Sequence, residues 1–243
     1  SVSIRWVSGF TGSAGQLLVG ASCAYLITDG RYAEQALREI SGTDIELFVG
    51  NGAEQKHFLS AQLANSKTLT LESERITWGA VEALKQQIDA EVKPSSDLIA
   101  GLRREKDPGE VARIETAAAI ADEAIAQVLP QLAEGPTEIE FARTLDAAML
   151  NRGAEALSFE TICASGPNAA APHARPSSRV ISSGDLVVLD FGAVIDGYHS
   201  DMTRTYMVGD ADESSQDIIR SVTEAQQRGC EVIRPGVKAS EVD

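Results

Sequence analysis

Basic residues are in short supply in this chain. Its 243 residues include 21 Lys and Arg against 36 Asp and Glu, for a formal net charge of −15. That deficit argues against nucleic acid and against anionic membrane as partners. It is compatible with a cation-binding site, although acidity is common among soluble proteins. Cysteine is scarce too. Cys23, Cys163 and Cys230 are odd in number, far apart and without a C-x-x-C pairing. This argues against a disulfide framework or a zinc knuckle and for a reducing, cytoplasmic setting. No run approaches the roughly 18 apolar residues of a membrane span. Ser1–Phe10 has no basic segment followed by an apolar core, so no signal peptide is visible. The chain does not start with Met, so a leader could have been removed. The glycine-punctuated Ser8–Gly15 lacks both a G-K-[ST] ending and a G-x-G-x-x-G spacing, and reads as a tight connection rather than a phosphate loop. No solenoid-type repeat is present.

What the chain does have is enough apolar residue (43%) for a sizeable core and enough length for two domains. Up to about Ser96, short apolar strands alternate with helices, the pattern of a small α/β domain. Strands are expected at Ile4–Val7, Gln16–Val19, Ala24–Thr28, Asp44–Val49 and Lys67–Leu71. Helices are expected at Arg31–Ile40, Ala53–Ala64 and Ile76–Ala90. Lys93-Pro94-Ser95-Ser96 reads as a boundary, dividing the chain into residues 1–96 and 97–243. A short connecting helix, Asp97–Arg104, follows it. Asp107-Pro108-Gly109-Glu110 is then a strong helix start: an Asp cap, Pro at the first position, Glu at the third. Val111, Ile114, Ala118, Ala121, Ile125, Val128 and Leu132 form one apolar stripe. Thr137 and Glu140 make a second capping box for a helix to about Arg152. A strand at Thr161–Ala164, a long loop at Ser165–Ser183 and a helix at Asp212–Arg234 are expected after it.

The most informative stretch is Leu186–Val208. Leu186–Leu189 is a buried-strand run, and Met202–Val208 alternates as a second strand. Between them Asp196-Gly197 is a type I′ hairpin signal, since that turn needs positive φ at both central residues. Counting outward pairs Ile195 with Tyr198, Gly192 with Asp201, and Asp190 with Thr203. Asp190, Gly192, Asp201 and Thr203 then share one face. Asp190 and Asp201 are diagonal neighbours with Cβ atoms roughly 7 Å apart. Gly192 would leave the space between them empty, and Thr203 would put a hydroxyl beside Asp190. Two readings are open at this point: a site for hard cations, or two solvated acids on an exposed face. The apolar flanks favour the first, because burying two unpaired carboxylates together costs several kcal/mol unless a cation or base is present.

Histidines are few: His57, His173 and His199. His57 sits in a charged helix and should be exposed. His199 shares a face with Asp201 if the strand is regular. His173 lies in ASGPNAAAPHARPSS, a loop of small residues and prolines, where it is either a surface side chain or a site residue held by a pinned loop.

LDFGA (Leu189–Ala193) followed by SDMTRT (Ser200–Thr205) resembles the metal-binding hairpin of the Xaa-Pro aminopeptidase and prolidase family. These are the pita-bread metallopeptidases, which include methionine aminopeptidase and creatinase. YLITDGRYAEQA and IRWVSGFTGSAG resemble the amino-terminal domain that precedes the catalytic domain in aminopeptidase P, prolidase and creatinase. The resemblance implies an α/β amino-terminal domain followed by an α+β pita-bread domain, incomplete here. It implies that Asp190 chelates one divalent ion and Asp201 bridges a pair, with Thr203 supporting them. The ions would be Mn²⁺ first, with Co²⁺ or Zn²⁺ as alternatives, and would activate a bridging water. A similar G-P-N…P-H segment carries a His seventeen residues before the first Asp, as His173 precedes Asp190 (190 − 173 = 17). That His hydrogen-bonds the substrate or the tetrahedral intermediate. The family position matching His199 is not a ligand. The family's remaining ligands, one His and two Glu, lie on later strands, with a further His in an H-G-x-G-H segment. No histidine follows His199, so half of a catalytic domain is expected and this chain alone should be inactive. The complete protein is expected to be a cytoplasmic, homodimeric Xaa-Pro aminopeptidase or dipeptidase acting on proline-containing peptides or dipeptides. The rivals are a metal-free hydrolase of creatinase type, which the Asp pair disfavours, and a non-enzymatic pita-bread module that binds peptides.

Overall fold

A computed structural model describes residues 1–210 and 212–242. It divides at Lys106/Asp107 into two units.

The first unit holds, in order, α1 (Val2–Ser8), β1 (Gln16–Val19), β2 (Ala24–Thr28), α2 (Ala33–Glu39), β3 (Glu46–Val49), α3 (Gly52–Leu63), β4 (Thr68–Glu72), α4 (Trp78–Lys85), β5 (Glu91–Ser95) and α5 (Leu98–Leu102). β1 pairs antiparallel with β2, and β2 pairs parallel with β3. A buried cluster of Phe10, Leu26, Ala36 and Ile40, joined by Ile4, Leu17 and Leu47, fills the space beside this sheet.

Ile4–Val7 is helical, not the expected strand. A short apolar run fits either period, and the glycine after it decides. Gly9 takes φ 75° and its N–H closes onto the Arg5 carbonyl at 2.8 Å, a left-handed helix cap. Lys93–Ser96 is not a linker either. It is part of β5, which pairs parallel with β4, Leu71 opposite Pro94. Proline is tolerated there because β5 lies at an edge of a two-stranded sheet. The expected division at Ser96/Asp97 thus falls inside the first unit. Helix α4 is also shorter than expected, starting from the cap Thr77 and ending at Lys85.

The second unit holds α6 (Pro108–Val128), α7 (Glu138–Asn151), β6 (Ala156–Leu157), β7 (Ile162–Ser165), β8 (Leu186–Phe191), β9 (Ala193–Ile195), β10 (Tyr198–His199), β11 (Met202–Met207), α8 (Glu213–Val232) and α9 (Ala239–Val242). Both expected capping boxes form. Glu110 N–H donates to Asp107 Oδ1 and Asp107 N–H to Glu110 Oε2, each at 2.8 Å. Thr137 and Glu140 repeat the arrangement at α7. Along α6 the buried face is Ala117, Ala121, Ala124, Ile125 and Val128, while Val111 is exposed. The stripe is therefore rotated slightly from the one drawn through Val111 and Ala118.

β8 is the central strand of an antiparallel sheet ordered β11-β8-β7. Its alternate residues Val187, Leu189 and Phe191 are buried in one cluster with Ala121, Ile125, Phe141, Leu145 and Met149 of the two helices. The intervening residues, Asp190 among them, must then face the other side of the sheet.

Candidate metal centre

The hairpin forms in the register counted from the sequence. Asp196 and Gly197 take φ of 49° and 76°, as a type I′ turn requires. Ile195 pairs with Tyr198, Val194 with His199, Phe191 with Met202 and Asp190 with Thr203. Helix α6 braces it. Tyr198 Oη donates to Glu110 Oε1 at 2.8 Å, Ser200 Oγ to the Ala117 carbonyl at 3.1 Å, and Arg113 Nε lies 3.1 Å from Asp196 Oδ2.

Gly192 plays a different part from the one expected. It does not leave a gap. A Cβ there would lie 2.0 Å from the Ser200 carbonyl oxygen, so glycine is needed for two backbones to approach. The ladder breaks at this point, and beyond it the chain joins a second sheet, ordered β10-β9-β6. Ser158 N–H donates to the Gly192 carbonyl at 2.9 Å, which holds the crossing.

Asp190 is half-buried on the central strand, directly opposite Thr203, and Ile162 of β7 flanks it on the other side. Asp201 stands exposed in the break between β10 and β11. Among the described residues, Asp190 Oδ1 is the buried side-chain oxygen left with no hydrogen-bond donor. A buried carboxylate oxygen without a donor loses its hydration and gains nothing in return, unless a cation sits against it. The donor chemistry, two carboxylates, suits a hard divalent ion. Among the described residues no group of three or more His, Cys, Asp or Glu is gathered to hold an ion. Neither His173 nor His199 therefore joins the aspartates as a third ligand. His199 is exposed on β10 and His57 is exposed on α3.

His173 is exposed at a turn in the segment between β7 and β8. That segment is more ordered than a long loop. It begins with a 3₁₀ turn, Gly166–Ala170, and its far end bridges back to α7 through Val180 and Thr137. The organiser is Glu138, at the start of α7 and 0% exposed. Its Oε1 accepts from Ser165 N–H and Oγ, both at 2.7 Å; its Oε2 accepts from Ser177 N–H at 2.9 Å and Oγ at 2.6 Å. Asn168 Nδ2 donates to both oxygens at 3.1 Å. Burial would raise the carboxyl's pKa, but the Ser177 and Ser165 donors outweigh it and hold the group below the usual range. Nearby, Arg179 grips Asp185 through two bonds of 2.6 and 2.8 Å, which lowers the Asp185 pKa.

Glu138 lies outside the motifs that mark the hairpin and the histidine loop. A signal for it exists: Glu138 shares the helical face of Phe141, Ala142 and Leu145, all buried, so it is an acid on an apolar stripe.

Residues 112–243 match metallopeptidase family M24, and residues 1–104 match the creatinase/prolidase N-terminal domain. The chain is 37% identical to the uncharacterized peptidase YqhT of Bacillus subtilis over 100% of its own length and 69% of the relative's. It is 35% identical to a Xaa-Pro dipeptidase of Pyrococcus horikoshii, covering 99% of this chain and 67% of the other. Among solved structures, a Xaa-Pro dipeptidase from Bacillus anthracis superposes with a TM-score of 0.92 at 37% identity, over 100% of this chain and 68% of that one. An X-Pro aminopeptidase from Thermotoga maritima gives a TM-score of 0.92 at 33% identity, with 100% and 69% covered.

Proposed function

Because this chain belongs to metallopeptidase family M24, with a creatinase/prolidase-type domain before it, we propose that the complete protein hydrolyses the peptide bond preceding proline. The likeness to Xaa-Pro dipeptidases and aminopeptidases supports that substrate class. The observation in this chain that carries the reading is Asp190 Oδ1, a buried acceptor with no donor on the one strand that the family motif also singles out.

Asp190 and Asp201 would hold divalent ions between them, Asp201 shared by the pair. When bound, such ions polarise a carbonyl and lower the pKa of an attacking water. The protein's own part is positional. Asp190 is fixed by the centre of a three-stranded sheet, and Thr203 stands opposite it, where its hydroxyl would orient the carboxylate. Exposed Asp201 offers its oxygens without strain from burial. His173 would donate a hydrogen bond to the carbonyl oxygen of the scissile bond as negative charge develops there. Two carboxylates alone would bind ions weakly, so the activity is assigned to the complete protein and not to this stretch.

Mn²⁺ is the ion the carboxylate-rich donor set favours, ahead of Co²⁺ or Zn²⁺. A cytoplasmic setting is supported by the three unpaired cysteines; burial pushes the Cys163 thiol up to about 12, so it is inert there. A homodimer completes the proposal. Among the described residues no helix is long and apolar enough to cross a membrane.

The test is a pair of substrates that differ at one residue. Ala-Pro and Ala-Pro-Ala should be cleaved before proline by the Mn²⁺-loaded complete protein, and Ala-Ala and Ala-Ala-Ala should be cleaved at least tenfold more slowly. Equal rates on both sets would refute the proline requirement. The ratio between dipeptide and tripeptide tells dipeptidase from aminopeptidase.

A further inference from the structure

The Glu138 network uses a charge where the core has no need of one. Removing a carboxylate from water costs several kcal/mol, and an apolar side chain on that face of α7 would pack beside Phe141 and Leu145 more cheaply. What the charge achieves is geometric. Its two oxygens take donors from the two ends of one segment: Ser165, where β7 ends, and Ser177, twelve residues on (177 − 165 = 12). Asn168 ties the halves together. Backbone bonds repeat the attachment, with Glu138 N–H donating to the Arg179 carbonyl at 3.0 Å and Ile139 N–H to the Ser177 carbonyl at 3.1 Å. Arg179 Nη1 closes the ring onto Ser165 Oγ at 2.6 Å.

The clamped stretch lies between those ends and carries Pro172 and His173. Its starting point is referred to the metal-site strand directly, since Ser165 pairs with Val187 and Ile162 with Asp190 on β8. We propose that Glu138 is a positioning residue for hydrolysis: by drawing Ser165, Asn168 and Ser177 onto one carboxylate, it fixes where His173 stands relative to Asp190. The inference rests on the reading of His173 as a substrate-contacting donor. A donor of that kind has to be held within about 0.5 Å of its productive place, and an exposed turn cannot do so by its own packing.

The experiment is a double-mutant cycle in the complete, Mn²⁺-loaded protein, joining Glu138→Gln and His173→Ala. Gln keeps the shape but turns one acceptor into an NH₂ facing serine donors. Glu138→Gln should lower kcat on Ala-Pro by about tenfold or more with metal content and KM little changed. In the His173→Ala background the same substitution should cost less than about twofold, because the group it positions is gone. Equal fold-losses in the two backgrounds would overturn the proposal. His173→Ala alone tests the underlying reading separately. If it keeps the wild-type rate, His173 is no donor, and the clamp is then judged by NMR of the imidazole CH signals. Glu138→Gln should shift or broaden the His173 signal and leave those of His57 and His199 in place. An unchanged His173 signal would refute the clamp. Should Glu138→Gln fail to fold, Ser177→Ala, which removes one donor, enters the same cycle with a smaller loss expected and the same criterion.

Discussion

Asp190 and Asp201 are placed differently, and the difference sets what each can do. Asp190 is half-buried with one oxygen lacking a donor, so its carboxylate has most to gain from an ion. Asp201 is exposed, as the bridging role proposed for it requires. Asp201→Asn should therefore lose more metal per chain than Asp190→Glu. Asn removes the shared charge, whereas Glu keeps the charge and moves it by one methylene. Metal analysis of the two purified variants decides this, and equal loading would count against the bridging role. The pairing that puts both acids on one hairpin is legible in the sequence, because the turn fixes the count. Glu138 was not, because its donors come from 27 and 39 residues away and no local period reveals them. Its place among Phe141, Ala142 and Leu145 was the one available trace.

At the level of the element, the hairpin owes its shape to two glycines with different tasks. Gly197 supplies positive φ for the turn. Gly192 supplies room, since a Cβ there meets the Ser200 carbonyl at 2.0 Å. Gly192→Ala should force the strands apart and cost about 1–3 kcal/mol of stability, as overpacking does. Urea denaturation reads this directly, and a variant as stable as the wild type would show that the crossing yields easily. Strand pairing here could be read from the Asp-Gly turn, but the close crossing could not, because it depends on β6 drawing the chain into a second sheet. The same limit explains α1 and β5. The first is decided by a cap at Gly9 outside the apolar run; the second by a partner, β4, that rescues a proline-containing segment as an edge strand.

Across the whole molecule, the expected architecture holds: an α/β amino-terminal unit followed by the α+β pita-bread fold shared with Xaa-Pro dipeptidases and aminopeptidases. Alternating strands and helices, capping boxes and the hairpin motif carried that reading. The division between the units was misplaced because proline and serine imitate a linker in a segment that is in fact paired. The chain spans about two thirds of the length of the relatives it matches. Among the described residues no third His, Cys, Asp or Glu gathers with Asp190 and Asp201, the two ligands proposed. In the proposed mechanism, divalent ions held by this hairpin perform the hydrolysis. The most direct measurement is Ala-Pro cleavage by the complete protein before chelation, after excess EDTA and dialysis, and after Mn²⁺ is returned. Activity should be lost on chelation and return on adding the ion; full activity in the dialysed, metal-free protein would contradict the metal mechanism.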